Sequence, residues 1–247
     1  MLHIPYLILL LLWGCSPASS SPISGHVPTI SRAPYEVVAE PKAFETSFFP
    51  GTHLLQDSME IHLEPEFLGN LAVQSGKLVA TDPVTFHEQV KPFATQFPRG
   101  RFPVELAIAS LHNDHRVAFA RILFSANPVK KWELALLPGQ KPLPLRSEEY
   151  YGFSVDGGTA LFLDAASTNR FTAHLRRDRN AYKDMFITGF ESQSEHPRNG
   201  FLYAIRQDTL ATFSTGFGDG FYATYIGFDD DHKPCRLLID FQIVEWQ

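Results

Sequence analysis

The sequence predicts a mainly β or α+β domain, in which antiparallel sheets form a sandwich-like arrangement with one or two helices. Many short apolar runs, each ended by Gly, Pro or Asp, indicate strands joined by tight turns. Phe occurs 21 times among the 247 residues, which favours a large aromatic core. No fixed-period repeat indicates a solenoid or a propeller.

The strand signals become clear from Leu71 onward, after a sparser segment at residues 35–70. Residues 71–80 place Gln74-Ser75-Gly76 between two apolar runs and predict a hairpin with a glycine turn. Residues 237–244 alternate apolar and polar positions, which is typical of a strand with one buried face. Further strands are predicted at 102–109, 116–124, 131–137, 152–155, 159–163, 201–205, 210–213 and 221–228.

One segment, residues 173–187, has the spacing of an amphipathic helix. Its basic residues surround the apolar face, and a solvated helix face explains them better than contact with anionic lipid. The apolar face is formed by Leu175, Tyr182, Met185 and Phe186.

The first fourteen residues have the features of a secretory signal peptide. Residues 4–13 are almost all apolar, too few to cross a bilayer but typical of a signal core. Gly14 precedes Cys15, with Leu12 three positions before the cysteine, and this pattern resembles the lipobox of bacterial lipoproteins. The resemblance implies cleavage before Cys15 and diacylglycerol on its thiol. An ordinary signal peptide that is cut a few residues later is the alternative.

The remaining chain divides into a tether and one domain. Residues 15–34 are rich in Ser and Pro and predict a flexible tether, whereas residues 35–247 predict a single globular domain. Lipidation of Cys15 would leave Cys235 without a partner, and its apolar surroundings favour a buried structural thiol. The net charge of −6 argues against a nucleic-acid partner.

Several ordered blocks between about residues 70 and 241 are distinctive. Residues 211–229 contain Gly216-Phe217-Gly218-Asp219-Gly220 followed by spaced tyrosines, a glycine and an aspartate. This string resembles the signature of the DUF4241 family, a bacterial family of uncharacterised function. Blocks at 76–83, 98–104, 116–118, 132–136, 155–159 and 240–241 resemble other blocks of the family in the same order. The resemblance covers about residues 70–241 and implies no activity, cofactor or catalytic residue.

Four aspartates are the candidate binding residues: Asp82, Asp156, Asp219 and Asp229. Asp219 lies among three glycines, which suit either a ligand-facing loop or a tight turn with a bulge between two strands. Asp156 precedes Gly157-Gly158-Thr159, a string that resembles the phosphate loop of actin-like kinases but is better explained by a hairpin turn. The acidic run that begins at Asp229 lacks the spacing of an EF-hand.

No catalytic, phosphate-binding or metal-binding motif is complete in this sequence. There is no G-x-S-x-G, Walker A, H-E-x-x-H or C-x-x-C pattern. His112, Asp114 and His115 are crowded into one four-residue turn, and a solvated turn explains them better than a metal site. We therefore predict no cofactor and no metal.

Two functions remain open at this level. The first is a non-enzymatic binding module, lipid-anchored through Cys15 in the cell envelope, whose protein or small-molecule partner is unknown. Because Ser16 rather than Asp follows the cysteine, lipoprotein sorting implies the periplasmic side of an outer membrane where the cell has one. The alternative is a hydrolytic enzyme that uses Asp82, Asp156 and Asp219, which requires these carboxylates to line one pocket.

Overall fold

Two antiparallel sheets organise the part of the chain that the structure, a computed structural model, describes: residues 36–86, 90–191 and 198–246. All described residues belong to one compact unit that spans residues 32–247. The strands are β1 (Thr52–Gln56), β2 (Met59–Val73), β3 (Leu78–Thr81), β4 (Gly100–Leu111), β5 (Asp114–Leu123), β6 (Lys131–Leu134), β7 (Gly152–Val155), β8 (Thr159–Asp164), β9 (Gly200–Ile205), β10 (Asp208–Ser214), β11 (Gly220–Phe228) and β12 (Pro234–Asp240). The helices are α1 (Ala43–Thr46), α2 (Thr168–Arg177) and α3 (Ala181–Phe186).

The large sheet has the strand order β1-β2-β4-β5-β12-β11-β6, and β7 also pairs with β11. The small sheet has the order β3-β8-β10-β9, and every pairing described in the two sheets is antiparallel. The predicted fold class, mainly β with antiparallel sandwich-like sheets and few helices, is confirmed.

Three apolar clusters fill the layers of the fold. The first combines side chains of both sheets, such as Leu106 and Ile239 of the large sheet with Phe162 and Phe213 of the small one. The second covers the other face of the large sheet, where α1 and the C-terminal segment pack. The third lies between the small sheet and helices α2 and α3. Burial of so much aromatic and aliphatic area is the main stabilising term of this fold.

A buried ionic network lies within the second cluster. Glu45, next to Phe44 on α1, accepts hydrogen bonds from Arg121 at 3.2 Å and from Nε of Arg236 at 3.1 Å. Arg121 also donates to Glu105 at 2.8 Å, and its guanidinium lies 3.8 Å from the centre of the Phe48 ring. Burial lowers the pKa of Arg121, and the neighbouring carboxylates Glu45 and Glu105 oppose this effect. Opposite charges thus compensate each other inside the core.

The hairpin predicted at residues 71–80 is wrong, because its two strands belong to different sheets. Val73 ends β2 in the large sheet, whereas β3 pairs with β8 in the small one. The carboxylate of Asp164, at the end of β8, accepts hydrogen bonds from the backbone of Gln74 and Ser75 at 2.8 and 2.9 Å. These bonds direct the connection toward β8, so the glycine turn joins the two layers.

The single helix predicted at residues 173–187 is also wrong. α2 begins earlier, at Thr168, and ends at Arg177, and α3 starts at Ala181. Asp178 between them has an extended backbone, and its side chain accepts a hydrogen bond from the amide of Asn180 at 2.9 Å. Such an Asx turn competes with helical hydrogen bonding and breaks the helix. Much of residues 35–70, a sparse segment in the sequence, forms strands: β1 and most of the 15-residue β2 lie there.

Candidate functional site

Asp82, the first candidate aspartate, is fully buried and holds a turn. Its Oδ1 accepts from the amide of Val84 at 2.6 Å. Its Oδ2 accepts from the amides of Asp156 and Gly157 at 2.6 and 3.2 Å. A carboxylate that accepts several backbone N–H groups fixes local chain direction. Asp82 thereby fastens the β7–β8 connection to the short 3₁₀ turn at Pro83–Thr85.

Asp156 and Asp219 lie on two neighbouring loops and are exposed. The amide of Thr215 donates to the carbonyl oxygen of Gly158 at 3.1 Å, which joins the β7–β8 and β10–β11 connections. The structure therefore brings together the turns that carry Asp82, Asp156 and Asp219. Both connections cross between the sheets, so the predicted hairpin turn at Asp156 is wrong. At Asp219 a turn does join two strands, but they belong to different sheets, so it contains no bulge within one sheet.

The glycine loop before Asp219 is determined by backbone packing. Gly216 has φ +39°, and a Cβ at this position would lie 2.7 Å from the carbonyl oxygen of Phe241. Thr215 Oγ1 and Tyr222 Oη both donate to the carbonyl oxygen of Gly218, at 2.7 and 2.8 Å. The glycines thus allow a close approach of backbone to the end of β12.

Asp229 lies at the other end of β11 from Asp219 and stabilises its own turn. Asn127 donates to its Oδ2 at 2.7 Å, and the amides of Asp231 and Lys233 donate to its Oδ1 at 3.1 and 2.9 Å. The hydrogen bond from Asn127 and those from the backbone lower the pKa of Asp229. The four candidate aspartates therefore do not converge on one site.

Metal-ligating side chains converge at a different place. In the ranges that the structure describes, one set of three has ligand atoms within 4.8 Å of one another: His53, Glu60 and His62. The turn residues His112, Asp114 and His115 do not form such a set. Asp114 instead pairs with Arg116 at 2.7 Å, and His115 Nδ1 lies 3.0 Å from Ser110 Oγ.

A cavity adjoins Asp240, at the end of β12. Its volume is about 310 Å³, and we call it the Asp240 cavity. β11, the end of β12, the C-terminal segment and the β6–β7 connection contribute to its walls. The lining residues are Tyr150, Ala223, Tyr225, Asp240, Gln242, Val244, Glu245 and Trp246. Two of them are carboxylates, three are aromatic, and none is basic.

The Asp240 carboxylate is held in place by two donors. Trp246 Nε1 donates to Oδ2 at 2.6 Å, and the amide of Gln242 donates to Oδ1 at 2.8 Å. Burial raises the pKa of Asp240 to about 6, although both hydrogen bonds act in the opposite direction. The carboxylate is therefore mostly ionised at pH 7 and becomes protonated in mildly acidic solution.

Three aromatic side chains contribute both polar and apolar surface to the cavity. Burial raises the pKa of Tyr225, and the nearby Asp240 and Tyr150 reinforce this effect, so the phenol stays protonated. The rings of Tyr225 and Trp246 meet edge to face with centroids 5.6 Å apart. Gln242 Nε2 donates to Tyr150 Oη at 3.0 Å and to the carbonyl oxygen of Phe221 at 3.2 Å, which orders the rim.

Asp240 belongs to the family-like block at 240–241, but the sequence alone does not mark it as a site residue. The available signal was a carboxylate inside the alternating run 237–244. The cavity at Asp240 depends on Tyr150, which lies 90 positions earlier in the chain, and on the C-terminal segment that folds around it. No local sequence pattern indicates these contacts.

The fold places this chain among mainly β proteins of two antiparallel sheets, and an acidic, aromatic-lined cavity lies at the end of β12. The family model for DUF4241, described as a protein of unknown function, matches residues 71–239. The chain therefore belongs to the DUF4241 family, as the sequence blocks predicted. The match includes Tyr150 and Tyr225 and ends one residue before Asp240. No curated protein and no solved structure matches the chain.

The predicted signal peptide at 1–14, the tether at 15–34 and the lipidation residue Cys15 lie outside the described residues. Across the described ranges, no helix is both long enough and apolar enough to cross a membrane.

Proposed function

We propose that this chain is a non-enzymatic binding module, anchored to a bacterial membrane through lipid on Cys15, and that the Asp240 cavity binds a small organic cation. The observation that carries the proposal is a buried carboxylate surrounded by aromatic rings, with no basic side chain in the lining. Aromatic faces and a carboxylate together favour alkylammonium groups, because the ring quadrupole and the negative charge both attract a cation.

The size and electrostatics of the cavity agree with this ligand class. Its 310 Å³ lies at the lower end of the range for small-molecule sites. Asp240 is positioned before any ligand arrives, so binding need not first order its side chain. Glu245 adds a second carboxylate to the lining, and the net charge of −6 also favours a cationic ligand.

Choline and its neutral carbon analogue 3,3-dimethyl-1-butanol form a matched pair of probes for this proposal. Titration calorimetry should show saturable choline binding and at least tenfold weaker binding of the neutral analogue. Asp240→Asn should reduce choline affinity about tenfold or more, whereas Asp219→Asn, an exposed carboxylate outside the cavity lining, should leave it unchanged. Equal affinity for both probes, or no binding of choline at millimolar concentration, would reject the cation site.

The membrane anchor is a separate part of the proposal and has its own test. A diacylglycerol on Cys15 supplies two chains, which hold a protein firmly to a bilayer, whereas one chain binds only marginally. Cys15→Ser should abolish lipid labelling and move the protein to the soluble fraction of lysed cells. Membrane association that survives this substitution would contradict anchoring through Cys15.

The hydrolytic alternative receives less support from the geometry. Both oxygens of Asp82 already accept backbone amides, and Asp156 and Asp219 are exposed on loops outside the Asp240 cavity. A general base needs a free oxygen within hydrogen-bond reach of a substrate.

A further inference from the structure

We propose that His53, Glu60 and His62 form a binding site for a divalent transition metal ion such as Zn²⁺. The site lies on the hairpin of β1 and β2 and is independent of the Asp240 cavity. It differs from the expectation based on motifs alone, which predicts no metal because no metal-binding motif is complete in the sequence.

The hairpin register brings the two histidines together. His53 and His62 are direct cross-strand partners in the β1–β2 pair, and Glu60 lies two residues before His62 on the same face. The turn residues Asp57 and Ser58 both have positive φ, as a two-residue type I′ turn requires. Since the turn fixes the register, the side-chain arrangement does not depend on a flexible loop.

The three side chains are near enough to bind one metal ion if they move toward it. The Nε2 atoms of His53 and His62 each lie 4.0 Å from Oε2 of Glu60. The two imidazole rings stack with centroids 4.5 Å apart and 19° between their planes. Ligand atoms about 2.0–2.2 Å from a tetrahedral zinc are separated by roughly 3.3–3.5 Å. The ligand atoms here lie within 4.8 Å of one another, so the side chains must move together and the stacked rings must rotate until both nitrogen lone pairs face the ion.

The exposure of the three side chains makes this adjustment possible. His53, Glu60 and His62 are 48%, 68% and 58% exposed, so their rotamers are not held by core packing. Two imidazoles and one carboxylate are a ligand set that zinc uses with a fourth position open to water. We therefore expect an accessible site that keeps one exchangeable ligand.

The face of the sheet that carries His53 and His62 changes from apolar to polar toward the β1–β2 hairpin. Further along β4 and β5 the same face carries Ile108 and Val117, which belong to the cluster between the two sheets. At the hairpin end the row across the sheet becomes His53, His62, Ser110 and His115, all outside the buried cores. His115 is bonded to Ser110, which lies between it and His62, so it serves as a neighbouring control histidine.

Metal titration of the tag-free mature chain tests the proposal. Calorimetry with Zn²⁺, and the visible absorption of tetrahedral Co²⁺, should both show one site per chain. His53→Ala and His62→Ala should each weaken affinity at least tenfold, and Glu60→Gln should weaken it by a smaller factor. His115→Ala should leave it unchanged.

Other histidines of the chain could bind Zn²⁺ weakly, so the double variant His53→Ala/His62→Ala provides the background. Circular dichroism and a melting curve should show that this variant is folded, because both side chains are exposed. Stoichiometric Zn²⁺ binding that persists in the double variant would overturn the assignment. Wild-type binding no tighter than that background would overturn it as well.

Discussion

At the scale of single residues, the candidate aspartates differ in what their carboxylates contact. Asp82 accepts three backbone amides from two chain segments, whereas Asp219 is exposed on its loop. The carboxylate of Asp240 is buried, accepts two hydrogen bonds and lines a cavity. The same residue type thus fixes chain direction at one position, lies on a solvated loop at another and lines a cavity at a third.

Asp82→Asn should destabilise the fold, because an amide nitrogen would face the N–H groups that the carboxylate now accepts. Loss of charge-assisted hydrogen bonds to buried donors costs about 2 kcal/mol. Asp219→Asn should change the free energy of unfolding by less than about 0.5 kcal/mol, as is usual at exposed positions. Urea denaturation of both variants measures the difference. Equal effects of the two substitutions would contradict the role of Asp82 in holding the turn.

At the scale of elements, the connections that cross between the two sheets require close backbone packing. The β10–β11 loop places Gly216 against the carbonyl oxygen of Phe241, at the start of the segment that lines the Asp240 cavity. Because β7–β8 and β10–β11 are joined through Thr215 and Gly158, the two crossovers support each other.

Gly216→Ala should be more costly than Gly51→Ala. Both glycines have positive φ, but a Cβ meets backbone only at Gly216, while Gly51 has open space around it. A strained φ costs about 1–3 kcal/mol, and the clash with Phe241 adds to this at Gly216 alone. Urea midpoints of the two variants should differ clearly. If Gly51→Ala destabilises as much as Gly216→Ala, close packing at Phe241 is not the reason for the glycine.

At the scale of the whole molecule, the sequence predicts the fold class but not the strand pairing. Short runs, turn residues and alternation are local signals, and they identify most strands from Leu71 onward. Pairing depends on which sheet a strand joins, and here β2–β3, β7–β8 and β10–β11 each change sheet. Local turn chemistry is the same for a hairpin and for a crossover, which explains why those predictions were wrong.

The candidate sites were missed for a related reason. His53 and His62 meet through the register of a hairpin in a segment where the sequence showed few strand signals. Asp240 gains its raised pKa from burial and its cavity from Tyr150 and Trp246. The first site depends on cross-strand pairing and the second on tertiary contacts, and neither is indicated by its residues taken singly.

If the ionised carboxylate of Asp240 binds the cation, choline affinity must depend on pH. A carboxyl group with a pKa of about 6 is about one-tenth ionised at pH 5 and about nine-tenths ionised at pH 7. Choline affinity should therefore rise about tenfold between pH 5 and pH 7, with its midpoint near pH 6, and should stay flat in Asp240→Asn. The same rise in Asp240→Asn, or a flat profile in the wild-type protein, would show that Asp240 is not the carboxylate that binds the cation.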